Sequence, residues 1–147
     1  MADKAILFDS SRCSACQACV AACKGRFGLA PSASDSSSEN ETARAFGRAA
    51  VLDEEAPLAV ARFERTLADG GVVWEAARAG CVHCAQAPCA EVCPTGAVAV
   101  NGETGFVALD AARCVSCHLC SMVCPAAAPR HRGERGEVLL CDGCAAE

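Results

Sequence analysis

Tyrosine is absent from this 147-residue chain, and tryptophan occurs once, at Trp74. Five phenylalanines bring the aromatic share to only 4%, and much of the 52% hydrophobic content is alanine and cysteine. A conventional apolar core is therefore thin, because large side chains supply most of the area that burial removes from water. Also missing is any apolar stretch of about 18 residues or more, which excludes a transmembrane helix. The opening MADKAILFDS sets Asp3 and Asp9 around a very short apolar run and does not read as a signal peptide. There is no basic excess: the formal net charge is −5, which argues against nucleic-acid binding. No nucleophile is paired with a base, and no Walker loop or dinucleotide fingerprint occurs, so nothing points to catalysis on this chain. The length suits one compact domain or two very small ones.

What is present in excess is cysteine, at fourteen residues. Twelve fall in three runs: Cys13-x2-Cys16-x2-Cys19-x3-Cys23, Cys81-x2-Cys84-x4-Cys89-x3-Cys93 and Cys114-x2-Cys117-x2-Cys120-x3-Cys124. Pro94 and Pro125 directly follow the last cysteine of two runs. This spacing holds cubane iron–sulfur clusters, and in two-cluster ferredoxins the fourth cysteine of such a run ligates the other cluster. Three cysteines spaced by two residues wrap three corners of a cube from a short loop. The chain then enters a helix that carries the fourth cysteine about one turn on. Thiolates are soft ligands matched to such iron–sulfide cages, and proline fits after the fourth because it fixes φ and lacks an N–H. Structural zinc would use four thiolates in two CxxC pairs, leaving the third cysteine and the Cys-x3-Cys-Pro surplus. A disulfide scaffold would suit a secreted chain. The expectation is thus a chain that moves electrons, loaded in a reducing cytoplasm and folding poorly without its clusters.

The chain also repeats itself, with residues 5–13 (AILFDSSRC) matching residues 106–114 (FVALDAARC), so that Asp9 answers Asp110 and Arg12 answers Arg113. Cys81-x2-Cys84 is echoed by Cys141-x2-Cys144. Repetition of a supersecondary unit organises the reading of the fold. Val98–Val100 and Phe106–Leu109 predict two strands, joined by a turn around Asn101-Gly102. Leu58–Thr66 and Val72–Trp74 predict a second hairpin across Gly70-Gly71, with a helix over residues 56–67 as the alternative. Residues 31–42, PSASDSSSENET, read as an exposed disordered loop, and residues 43–56 as a short helix.

Some residues carry two readings. His83 and His118 lie inside cysteine runs, either tuning a cluster through hydrogen bonds or filling variable surface slots. Arg12 and Arg113 either pair with Asp9 and Asp110 to brace their loops or cover the surface. The basic run Pro129-Arg130-His131-Arg132 reads first as a solvated loop and second as a partner contact.

FDSSRCSACQACVAACK, Arg62-Phe63, Trp74 ahead of GCVHC, CPTGAV, CVSCHLC and the CP-x3-PR of Cys124–Arg130 carry a wider likeness. Together they resemble the iron–sulfur electron-transfer (beta) subunits of molybdenum- and tungsten-dependent oxidoreductases of the formate dehydrogenase and dimethyl sulfoxide reductase type. The resemblance implies an α+β, loop-rich fold of ferredoxin-like [4Fe–4S] dicluster modules, with short helices and hairpins. One module would be complete, over residues 81–126. Residues 1–30 would begin an incomplete one, residues 31–80 would be an insertion, and residues 127–147 would start the fourth run and close on the first module. With the second and third runs sharing a module, Cys81, Cys84, Cys89 and Cys124 would hold one cluster, and Cys114, Cys117, Cys120 and Cys93 its partner. Cys13, Cys16 and Cys19 would hold a third, and Cys23, Cys141 and Cys144 a fourth, each one ligand short. Such sites would take a three-iron cluster, water or a carboxylate such as Asp142, or stay empty. Two cysteines of the fourth run have no counterpart before Glu147, so a truncated, non-functional product is one expectation. The implied partners are a molybdopterin catalytic subunit and a membrane cytochrome or quinone-linked anchor. The place is the cytoplasm, the membrane surface through partners, or export alongside a partner. A soluble polyferredoxin or hydrogenase-linked carrier is the alternative function, disfavoured by the long insertion at residues 24–80.

Overall fold

The computed structural model describes residues 6–29, 56–133 and 136–144. The loop expected at 31–42 and the helix expected at 43–56 lie outside the described residues, except for Ala56. The chain divides into two compact units, residues 8–79 and residues 80–147 with the first seven.

In the unit of residues 8–79, helix α1 (Ala18–Arg26) follows the first cysteine loop and lies against strand β1 (Leu58–Thr66). The Gln17 side chain secures this packing by donating from Nε2 to the Val60 carbonyl at 2.7 Å. β1 pairs with β2 (Val72–Gly80) in a two-stranded sheet, so the strand reading of residues 58–66 holds over the helical alternative. β1 buries Ala59, Val60 and Ala61 and then runs exposed to Thr66. Gly70, at φ +83°, makes the reversal that a residue with a Cβ resists, and Leu67 N–H closes it on the Gly71 carbonyl at 2.7 Å.

The unit of residues 80–147 contains α2 (Pro88–Glu91), the hairpin β3 (Val98–Val100)–β4 (Val107–Leu109), α3 (Leu119–Val123) and the hairpin β5 (Arg130–Arg132)–β6 (Glu137–Leu139). The β3–β4 register sets Val98 against Leu109 and Val100 against Val107. Asn101 builds the turn as expected: its Oδ1 accepts from Glu103 N–H at 2.8 Å and Thr104 N–H at 3.1 Å. The basic run at Pro129–Arg132 is not the solvated loop that its charge suggested. Arg130–Arg132 is strand, paired with Glu137–Leu139, and His131 is anchored by Ser121.

The core of this unit consists of Cys81, Ala87, Cys89, Val98, Val107, Cys120, Ala128, Leu140 and Cys141, with Val107 only 1% exposed. Apart from four cysteines it holds alanine and medium aliphatics, so the scarcity of large side chains is met with sulfur. Among the described residues no helix is long and apolar enough to cross a membrane.

Candidate metal centre

Each cysteine loop turns by the same device. The residue two after the first cysteine is left-handed: Ala15 (φ 54°), His83 (φ 49°), Ser116 (φ 53°) and Gly143 (φ 67°). This conformation costs a residue with a Cβ roughly 1–2 kcal/mol, and here it aims backbone N–H groups at sulfur. Ala15 N–H points to Cys13 Sγ at 3.4 Å, His83 N–H to Cys81 Sγ at 3.4 Å and Gly143 N–H to Cys141 Sγ at 3.5 Å. In the two three-cysteine loops a second left-handed residue, Gln17 or His118, precedes the helix and serves as its N-cap.

The helices deliver the fourth cysteine differently. Cys23 lies inside α1, which continues through Lys24 and Gly25. Cys124 sits at the end of α3 in an extended conformation (φ −79°, ψ 114°), because Pro125 bars its predecessor from the helical region. Cys93-Pro94 and Cys124-Pro125 then make similar turns. Gly96 N–H returns to the Cys93 carbonyl at 3.2 Å and Ala127 N–H to the Cys124 carbonyl at 3.0 Å. Val98 N–H reaches Cys93 Sγ at 3.5 Å and Ala128 N–H reaches Cys124 Sγ at 3.4 Å.

Two hollows result. One, of about 370 Å³ including its open mouth, is lined by Cys81, Cys84, Cys89 and Cys124, with Val107 and Leu140 among its apolar walls. The other, of about 330 Å³, is lined by Cys93, Cys114, Cys117 and Cys120, with Val98 and Val138 among its walls. Each takes three cysteines from one run and the last from the other. Among the described residues no three metal-ligating side chains converge closely enough for a single ion, as tetrahedral zinc would require. Four soft sulfurs spread around an apolar hollow, with N–H groups directed at them, fit an iron–sulfide cage.

Electrostatics differ between the thiols. Burial pushes Cys81 up to about 11, opposed by the His83 N–H and reinforced by the nearby sulfurs of Cys141, Cys89 and Cys124. Cys89 and Cys120 are raised mainly by burial as well, and Cys89 feels Cys120 across from the other hollow. Cys93 goes the other way, to about 7, chiefly because Val98 N–H bonds its sulfur and secondarily through the Thr95 hydroxyl. Exposed Cys16 is lowered, first by the Ala18 N–H. All fourteen cysteines are free of disulfides. Cys13 and Cys23 are half-buried, Cys16 and Cys19 are exposed, Cys141 is buried and Cys144 is exposed.

His83 is built into the fold, not a surface filler: its Nδ1 accepts from Val107 N–H at 3.0 Å and its ring lies 4.6 Å from that of Phe106. His118 stacks on His131 at 3.5 Å between ring centroids. The aspartate–arginine braces take another form. Asp9 accepts from Ser11, Asp110 accepts from Ala112 N–H at 3.0 Å, and Arg113 donates to the Thr95 carbonyl at 2.6 Å. Arg62 and Trp74 do meet, the guanidinium 4.5 Å over the indole. Sequence reasoning missed Thr95 as a sulfur neighbour, and a hydroxyl two residues after a cluster cysteine was the available signal. It also missed Phe106, whose ring packs against the Gly143 backbone, and for which spacing offers no signal.

Comparison with known proteins agrees in kind. A family model for the 4Fe-4S dicluster domain matches residues 72–147. The probable anaerobic dimethyl sulfoxide reductase chain YnfG of Escherichia coli K12 is 34% identical over 141 residues, covering 92% of this chain and 58% of that protein. The thiosulfate reductase electron transfer subunit PhsB of Salmonella typhi is 32% identical, over 95% of this chain and 62% of that one. The iron–sulfur subunit of the nitrate-inducible formate dehydrogenase of Escherichia coli K12 is 29% identical, over 97% and 46%. The chain therefore spans less than two thirds of the length of each of these relatives.

Proposed function

This chain belongs to the 4Fe-4S dicluster domain family, and from that premise we propose that it is the electron-relay subunit of a molybdenum- or tungsten-pterin oxidoreductase. It transfers electrons through [4Fe–4S] clusters, as befits a relative of an electron transfer subunit. The reading is carried by one observation above all: two adjacent hollows, each walled by three cysteines of one run and the last of the other. We assign Cys81, Cys84, Cys89 and Cys124 to one cluster and Cys114, Cys117, Cys120 and Cys93 to the second, with residues 81–126 as one complete dicluster module. Cys13, Cys16 and Cys19 are proposed to serve a third site. When bound, such a cluster accepts and returns single electrons. The chain's own residues hold it, shield it from water with Val107, Leu140, Val98 and Val138, and direct N–H dipoles at its sulfurs.

Substrate chemistry is assigned to a separate pterin-bearing subunit, and the clusters carry electrons between it and a quinone-linked or cytochrome anchor. The names of the relatives support this, being chains and subunits of reductases and a dehydrogenase.

Anaerobic loading of the full chain with ferrous iron and sulfide tests the ligand sets. At least about eight irons per chain are expected, with two reducible paramagnetic centres. Cys84→Ser abolishes one of these centres and Cys117→Ser the other. Markedly less iron, or loss of both centres in each variant, contradicts the assignment. Co-purification with a large pterin-containing protein tests the assembly. A chain that leaves its native host only as a monomer favours the soluble carrier instead.

A further inference from the structure

We propose that Thr95, locked in place by Arg113, raises the reduction potential of the cluster framed by Cys93, Cys114, Cys117 and Cys120 above that of its neighbour. This rests on the ligand sets assigned above.

The argument begins with one atom pair. Thr95 Oγ1 lies 3.7 Å from Cys93 Sγ. A sulfur bound to iron carries no proton, so the hydroxyl is the donor. Val98 N–H, at 3.5 Å, gives the same sulfur a second donor. Hydrogen bonds to ligating sulfur favour the more negative, reduced state and so raise the potential.

The hydroxyl is not left to rotate on a loose turn. Arg113 donates to the Thr95 carbonyl at 2.6 Å. Its guanidinium lies along Gly96, where a Cβ would stand 3.1 Å from the nearer nitrogen, and Gly96 itself is left-handed at φ +61°. Arg113 directly precedes Cys114, so one side chain joins the turn bearing the fourth ligand to the loop bearing the other three. Arg113 is thus a positioning residue that acts through Thr95.

The fold supplies its own control. The turn after Cys124 starts the same way, with Ala127 N–H on the Cys124 carbonyl at 3.0 Å, but its N–H on sulfur comes one residue earlier, from Ala128 at 3.4 Å. Alanine stands there at 126, where the other turn has Thr95. Of these two similar turns, only the one after Cys93 carries a hydroxyl. Burial adds to the contrast, since Cys81 and Cys89 are buried while Cys117 is exposed, and a dry setting disfavours added negative charge.

The test is a potentiometric titration of the anaerobically loaded full chain, followed by electron paramagnetic resonance. Thr95→Val is expected to lower the reduced-to-oxidised ratio at fixed potential about threefold, roughly 30 mV for one electron. The shift should fall only on the centre that Cys117→Ser abolishes, with iron content unchanged, and Thr95→Ser should restore most of it. An exchangeable-proton coupling at that centre should vanish in Thr95→Val and return in Thr95→Ser. Should Thr95→Val lose iron, Ala126→Ser decides, and it should raise the other centre by a similar factor. A fully loaded Thr95→Val with unmoved potentials, equal shifts at both centres, Thr95→Ser as low as valine, or a flat Ala126→Ser overturns the proposal. Failure of the wild-type chain to show two separately abolished centres would instead overturn the ligand sets.

Discussion

At the scale of single residues, the cysteine loops show why their third positions are not interchangeable. Ala15, His83 and Ser116 accept left-handed strain, but Gly143 has no room to do so, because a Cβ there would collide with the Phe106 ring. Gly143→Ala is expected to cost about 1–3 kcal/mol through overpacking, read as a lower unfolding midpoint and faster iron loss to chelator. Ala15→Gly, which relieves the same strain with nothing to collide with, should leave stability unchanged or raise it. The thiols set opposite pH dependences. Cys93 is depressed to about 7 by Val98 N–H, so its contribution is present above the ordinary value of 9.0 and lost as pH falls toward 7. Cys81 is raised to about 11 by burial, so the fold favours its neutral form, and that contribution is lost as pH rises from 9.0 toward 11. The cluster-free chain under reductant should therefore lose its circular-dichroism signal on alkalinisation through that window. The iron-loaded chain, whose thiolates are held by metal, should keep it.

At the scale of elements, two cysteine runs of the same spacing end differently because of one following residue. After Cys23 comes lysine and α1 runs on to Arg26, whereas after Cys124 comes proline and α3 stops at Val123. Pro125→Ala frees Cys124 to turn helical and swings its sulfur from the hollow it shares with Cys81, Cys84 and Cys89. About half the iron of the pair of sites should be lost, with one paramagnetic centre surviving, and full loading would refute this account of the helix stop. Such stops were legible in the sequence, as were the β3–β4 hairpin around Asn101 and the strand at Leu58–Thr66, because proline, asparagine and alternating apolar residues act locally. β2 extends to Gly80, past the expected Trp74, because Ala76, Arg78 and their neighbours carry no apolar alternation to announce a strand. β5 was hidden for a related reason. Arg130, His131 and Arg132 have no apolar signature, and the strand exists by pairing with Glu137–Leu139 and by the Ser121 hydroxyl on His131 at 2.6 Å.

At the scale of the whole chain, a sequence poor in aromatics and rich in cysteine yields a core in which sulfur stands where large side chains would otherwise be. The cysteine spacing made the hollows legible. The donors around them were not, since N–H···S contacts arise from left-handed backbone that alanine, serine and histidine do not advertise. Such a core makes neighbouring sites interdependent. Cys89 and Cys120 line different hollows, are both buried in the same apolar cluster, and α2 packs against α3. The sulfur of Cys120 is close enough to raise Cys89. Losing one cluster leaves its hollow unfilled beside the walls of the other, and an unfilled space in a packed interior loosens what surrounds it. Cys120→Ser should therefore shorten the lifetime of the neighbouring cluster held by Cys81, Cys84, Cys89 and Cys124. Cys117→Ser, which alters an exposed ligand of the same set, should shorten it less. Timed chelator challenge, read as decay of the surviving paramagnetic centre, separates the two. Equal decay in both variants and in the wild-type chain would mean that the hollows are held independently and that the shared sulfur-lined core does not couple them.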